Sequence, residues 1–110
     1  MSARPPRPNR TAPVFAALGD ETRLRIVSRL SAGGPMSIVH LTRDASITRQ
    51  AVTKHLHVLA SAGLARSSRL GRESVWELHP EPLAAACQYL DGISSQWDAA
   101  LNRLKTFVEG

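Results

Sequence analysis

Four polar side chains in the middle of this sequence have the types and spacing to read a polymer. Projected at about 100° per residue, Gln50, Thr53, Lys54 and His57 fall on one side of a helix drawn from Thr48 to Ala62. Val52, Leu56 and Leu59 fall on the other, with Ala51, Val58 and Ala62 beside them. An amide at Gln50 can make paired hydrogen bonds to adenine in the major groove. Thr53 can touch a thymine methyl or donate to a base, and Lys54 reaches guanine or phosphate. Thr48 and Arg49 stand at the start of the helix, where a recognition helix meets base edges. His57 is the outward histidine. His55 falls on the apolar side and reads as a hydrogen-bonded structural histidine before it reads as a DNA contact.

The charge map agrees with this chemistry. The chain of 110 residues carries a formal charge of +5. From Arg43 to Arg72 there are six cations (Arg43, Arg49, Lys54, Arg66, Arg69, Arg72) and one acid, Asp44. The N-terminal stretch adds Arg4, Arg7 and Arg10 without an acid, while the remainder of the chain is net acidic. A basic middle inside an acidic remainder is the footprint of a polyanion-binding surface. The aromatic platforms that stack single-stranded bases are missing from this region, which favours duplex DNA over RNA.

The elements that would position these residues follow from local signals. Residues 1–10, rich in Pro and Arg and without an apolar run, read as a disordered basic arm or an uninvolved tail. Residues 11–110 form one domain. Thr11 to Leu18 is a short helix with Val14, Phe15 and Leu18, ended by Gly19. Asp20 can cap a second helix, with Leu24, Val27 and Leu30, and Ile26 beside them, as its apolar face, stopped by Gly33-Gly34-Pro35. Ser37 can cap a third helix running to about Asp44, with Ile38 and Leu41 inward. After the turn Ala45-Ser46-Ile47, Thr48 caps the fourth, which Gly63 terminates. Two short helices joined by a tight turn form a helix-turn-helix unit. Leu64–Arg69 and Glu73–Leu78 then read as strands around Leu70-Gly71-Arg72. A hairpin in that place is a wing, and its tip carries Arg69 and Arg72 toward a phosphate backbone.

The last segment is a helix of about 25 residues entered through Pro80 and Pro82. Leu83, Cys87, Leu90, Trp97, Leu101, Leu104 and Val108 recur at helical steps, widened by Ile93 and Phe107. That stripe exceeds what a small core requires. A second copy of the chain would cover it, with Val14, Phe15 and Leu18 of the first helix able to join. The other arrangement is a helix folded back on its own core. Cys87 is the sole cysteine, so there is no intrachain disulfide, which fits a reducing cytosol. It reads as packing, with a redox role through the partner copy as the other use.

With these motifs in place, the sequence resembles the ArsR-type winged-helix family of arsenic- and metal-responsive repressors. The resemblance rests on Ala17-Leu18-Gly19-Asp20-Glu21-Thr22-Arg23-Leu24-Arg25-Ile26-Val27 and on the run from Ile47 to Leu59. Ala62-Gly63-Leu64 and Gly71-Arg72-Glu73 follow in order and with family spacing. It implies a mostly helical winged helix-turn-helix fold, α-α-α-α-β-β-α, with a small β-hairpin. It further implies a dimer through the first and last helices, a fourth helix in the major groove of an inverted repeat, and repression relieved by a signal. Members that sense metals through the third helix carry Cys-x-Cys where this chain has Ser37 and Val39. Members that sense through the last helix use Asp and His pairs, yet residues 83–110 hold no histidine. His40, His55, His57 and His79 share no ligand spacing, so no metal is expected in the usual sites and no cofactor is implied. The last helix, with Trp97, Leu101, Arg103, Leu104 and Lys105, is similar to a subgroup without metal sites, among them autoregulators of small operons whose inducer the sequence does not name.

The expectation is a DNA-binding regulator and not an enzyme, since no nucleophile–base pair, carboxylate cluster or phosphate loop is present. No apolar run approaches the length of a membrane span. The competing reading is a winged-helix interaction module that turns its basic face to an acidic protein. Such a face would carry an exposed aromatic or aliphatic anchor, and Gln50, Thr53, Lys54 and His57 supply none.

Overall fold

The computed structural model describes residues 8–43 and 46–109. Its elements run α1 (Pro8–Leu18), α2 (Glu21–Gly33), α3 (Ile38–Arg43), α4 (Arg49–Ser61), β1 (Ala65–Leu70), β2 (Glu73–Leu78) and α5 (Pro80–Glu109). The order is the expected one. Residues 1–7 of the expected arm lie outside the described residues, as do Asp44 and Ala45 of the turn. Pro8–Arg10, expected at the end of the arm, begin α1 instead. Proline's fixed φ suits a first helical position, which accounts for the earlier start.

Local chemistry sets the boundaries of the central helices. Asp20 caps α2 by accepting from the Arg23 backbone N–H at 3.0 Å. Ser37 Oγ accepts from His40 N at 3.1 Å, and Thr48 Oγ accepts from Ala51 N at 3.1 Å. Each satisfies a backbone donor that a helix start leaves without a partner. At the far end of α4, Gly63 takes φ +77°, which a residue with a Cβ rarely adopts. Leu64 N donates to Leu59 O and Gly63 N to Ala60 O, both at 2.9 Å. This paired closure turns the chain directly into β1, and Leu59 and Leu64, its flanking apolar residues, are both fully buried.

The core lies beneath α4. Val52, Leu56 and Leu59 are buried with Val14 and Ala17 of α1, Ile26 and Leu30 of α2, Leu41 of α3, and Trp76 and Ala86. Complete burial of a leucine side chain stabilises by about 1.5–3 kcal/mol. Two positions expected inside face out: Leu24 is 48% exposed and Val58 41%. Ile26 and Leu30, four residues apart, set the inward direction of α2, and Leu24 lies about 200° from Ile26 on the helix. Leu56 excludes Val58 from the α4 stripe by the same offset. Val14, expected to face a partner, is 2% exposed and belongs to the chain's own core.

β1 and β2 pair antiparallel from Ala65↔Leu78 to Leu70↔Glu73. β1 therefore begins and ends one residue later than expected. The loop is Gly71-Arg72, with φ +66° at Gly71 and no positive φ at Arg72, the pattern of a turn matched to strand twist. Met36 adds a third, one-residue rung: its N donates to Trp76 O at 2.9 Å and its O accepts from Trp76 N at 2.7 Å. Adjacent Val75 and Trp76 are both buried, where strict alternation would leave one outside.

α5 has 30 residues, about 45 Å of helix. Its first turns pack on the chain: Ala86 is buried, Leu83 is half-buried, and the Tyr89 ring sits 6.3 Å from that of Phe15. Beyond them Leu90, Trp97, Leu101, Leu104, Phe107 and Val108 are each at least half exposed. Leu83, Leu90, Trp97 and Leu104 stand seven apart, as do Ala86, Ile93, Ala100 and Phe107, which is the spacing of a seam between helices. No helix of the described residues is long and apolar enough to cross a membrane.

The Arg23 N–H holds the Asp20 carboxyl below its ordinary value of 3.8, against an opposing but smaller effect of burial, with the Arg23 charge assisting. The folded-state value is below the unfolded one. The cap therefore contributes fully above the unfolded value and is lost as pH falls through the folded one. Thermal unfolding followed between about pH 5 and pH 2 should show a shallower acid dependence for Asp20→Asn, which keeps the cap and removes the titration.

Candidate nucleic-acid interface

α4 presents its polar side because every other side is occupied. It touches α1, α2, α3 and β1, and its inner residues are sealed. Arg49, Gln50, Lys54 and His57 remain exposed. The other two expected readers have local duties. Thr48 Oγ accepts the cap bond from Ala51 N. Thr53 is half-buried and its hydroxyl donates to Arg49 O at 2.9 Å, leaving its methyl as the outward feature. His57 stays exposed while its ring meets the edge of Trp76, with centroids 5.7 Å apart at 85°. It thus ties the helix to the wing as well as lining the surface. Arg69 and Arg72 are exposed at the wing tip, as expected.

The arginines divide into two groups by their partners. Arg23 Nε donates to Ala17 O at 2.6 Å and Nη2 to Ala16 O at 3.4 Å, closing the end of α1. Its Nη1 lies 3.3 Å from His55 Nδ1, and because a guanidinium can only donate, that ring nitrogen accepts. His55 is therefore the structural histidine expected from its place on the helix. Arg29 donates to Leu41 O at 2.7 Å and His40 O at 3.2 Å, closing α3. Arg25 pairs with Glu21 at 2.6 Å, and Arg66 with the cross-strand Glu77 at 2.9 Å. Arg43, Arg49, Lys54, Arg69 and Arg72 have no hydrogen-bond or ion-pair partner among the described residues. All five are exposed, and they lie on α3, α4 and the wing, while Arg103 and Lys105 on α5 are likewise exposed and without a partner among the described residues.

Between these elements runs a cleft of about 550 Å³ lined by Ser37, Ile38, Val39, His40, Arg43, Arg49, Glu73 and Ser74. The α3 wall was not singled out from sequence, where the only signal was the place of Arg43 in the basic block. Among the described residues no three of His, Cys, Asp and Glu gather closely enough to hold a metal ion. Cys87 is exposed on α5, as are Leu90, Trp97, Leu101 and Leu104, whereas Phe15, Leu18 and Leu83 are partly covered by the core.

Comparison with known proteins places this geometry. A helix-turn-helix domain family model matches residues 18–68. The HTH-type transcriptional regulator Rv2034 of Mycobacterium tuberculosis is 42% identical over 95 residues, 86% of this chain and 85% of its own. An ArsR-like transcriptional regulator from Rhodococcus superposes with a TM-score of 0.78 at 34% identity, covering 90% of this chain and 92% of its own. A winged helix-turn-helix DNA-binding domain from Mycobacterium bovis, solved as a homodimer, shares the fold at 22% identity and TM-score 0.63, covering 87% and 91%.

The division among the arginines has a measurable outcome. Arg29→Ala removes two charge-assisted bonds to buried-end carbonyls and should cost about 1–3 kcal/mol in urea unfolding. Arg72→Ala, on an unpartnered surface cation, should stay within about 0.5 kcal/mol of wild type.

Proposed function

Because the chain belongs to the ArsR-type family of winged helix-turn-helix transcriptional regulators and is a DNA-binding regulator, we propose that it acts as a homodimeric repressor of an inverted-repeat operator. The observation that carries this reading is the gathering of unpartnered cations around the polar side of α4, while the cations elsewhere on α2 and β1 are bound within the protein. Gln50 and Lys54 read base edges in the major groove, with the Thr53 methyl available to thymine. Arg49 and His57 assist, Thr48 holds the helix start in place, and Arg69 and Arg72 grip phosphate or enter the minor groove.

The second copy is called for by α5. Its distal apolar stripe is too large for a monomer to leave in water, and its seven-residue spacing suits a seam against the same stripe across a two-fold axis. The homodimeric M. bovis domain supports that assembly. Leu90, Trp97, Leu101 and Leu104 then form the interface, with Cys87 and the partly covered Phe15, Leu18 and Leu83 at its edge. The chain works in the cytoplasm, has no catalytic role, and answers a signal other than a metal in the family's usual sites.

The test is selection of bound fragments from the organism's own genome, followed by titration of the best one against salt. An enriched inverted repeat bound far above random duplex is the expected result. Uniform binding without a motif would indicate nonspecific association, and no binding at moderate salt would favour an acidic protein partner. On the recovered operator, Gln50→Ala should lose about 1–3 kcal/mol and flatten sequence preference. Arg72→Ala should weaken operator and random duplex alike and reduce the salt slope by about 1. Trp97→Asp with Leu104→Asp should move the sedimentation mass from dimer to monomer with little change in folded content, since both residues are exposed in the single chain.

A further inference from the structure

We propose that the cleft between α3 and the wing seats a phosphate of the DNA backbone, gripped by Arg43 and Arg49 and opposed by Glu73. The proposal rests on the DNA-binding reading above and extends the contact surface to residues outside the recognition helix and wing tip.

Arg43 ends α3 and Arg49 begins α4, so the cleft receives a cation from each helix of the helix-turn-helix unit. Both are exposed and neither has a partner among the described residues. A long cation left uncommitted beside another repels it, and a bound anion relieves that repulsion. Ser37 and Ser74 also line the cleft. Ser37 Oγ already accepts from His40 N, so its proton is free to be donated outward. At about 550 Å³ the cleft is far larger than one phosphate, which suits a strand passing through and not an enclosed small anion.

Glu73 is the exception in this setting. It lines the same cleft and makes no ion pair with either arginine. Pairing would neutralise the seat in the free protein. Left unpaired on the β2 wall, the carboxylate instead subtracts from the field a phosphate meets. Because phosphate contacts carry no sequence information, such an acid loosens the grip on all DNA equally and leaves discrimination to α4.

Binding of the best selected fragment and of a random duplex of equal length, each measured over a range of salt, tests this. Arg43→Ala should weaken both about five- to tenfold near 0.1 M salt and make the slope of log affinity against log salt shallower by about 1. Arg43→Lys should retain the slope, and Glu73→Gln should tighten both duplexes about twofold. Lys105→Ala, on α5, serves as the remote control and should match wild type. A wild-type slope in Arg43→Ala, a loss confined to the selected fragment, or unchanged affinity in Glu73→Gln overturns the seat while the regulator reading stands. Failure of the wild-type protein to bind either duplex overturns both.

Discussion

The structure depends on one constraint: α4 has to be held rigidly on one side and left bare on the other. Helical geometry makes that possible, since Val52, Leu56 and Leu59 share a stripe that the remaining positions avoid. A recognition surface on a short helix would otherwise be imprecise, because 13 residues form only a marginal helix by themselves in water. Here α1, α2, α3 and β1 all contact α4, and its three buried side chains join one core cluster with residues of all four. The polar side inherits its position from that packing, to which it adds the His57 contact with Trp76.

A second layer of order comes from α2, which lies between the helices it orients. Helix ends expose carbonyls that need donors, and α2 supplies two. Arg23 meets the end of α1 and Arg29 the end of α3. Arg23 also reaches His55 on the flank of α4. Guanidinium groups are rigid, multiply donating and permanently charged, so each fixes an angle between helices as well as a distance. These arginines look like part of a basic protein's surface charge in a count, and they are structural fasteners in the fold. What remains among the described residues after they are set aside is a smaller set of unpartnered cations, five of them on α3, α4 and the wing and two, Arg103 and Lys105, on α5.

Much of this was legible because the signals are local. The caps at Asp20, Ser37 and Thr48, the stop at Gly63 and the turn at Gly71 each depend on a few neighbouring residues, and all stand where the sequence placed them. The apolar and polar sides of α4 followed from its period, and His55 from its position on that period. What escaped depends on distant partners. Nothing near Met36 announces that it will pair with Trp76, forty residues on. The outward turn of Leu24 was set by which of two overlapping stripes the core selected, and Val14 was drawn inward by that same core. The hydroxyl of Thr53 was free on paper and bonded to its own helix in space. The α3 wall of the cleft becomes visible only when β2 is laid against it.

The Met36–Trp76 rung has one more consequence. It joins the linker before α3 to the strand that carries the wing, while the His57 ring joins α4 to the same tryptophan. The linker and α4 therefore meet at one residue of β2, the linker through the Trp76 backbone and α4 through its indole. Any event that stretches or relaxes the α2–α3 junction thus has a mechanical route to the spacing between α4 and the wing, and Trp76 emission would register it from inside the linkage.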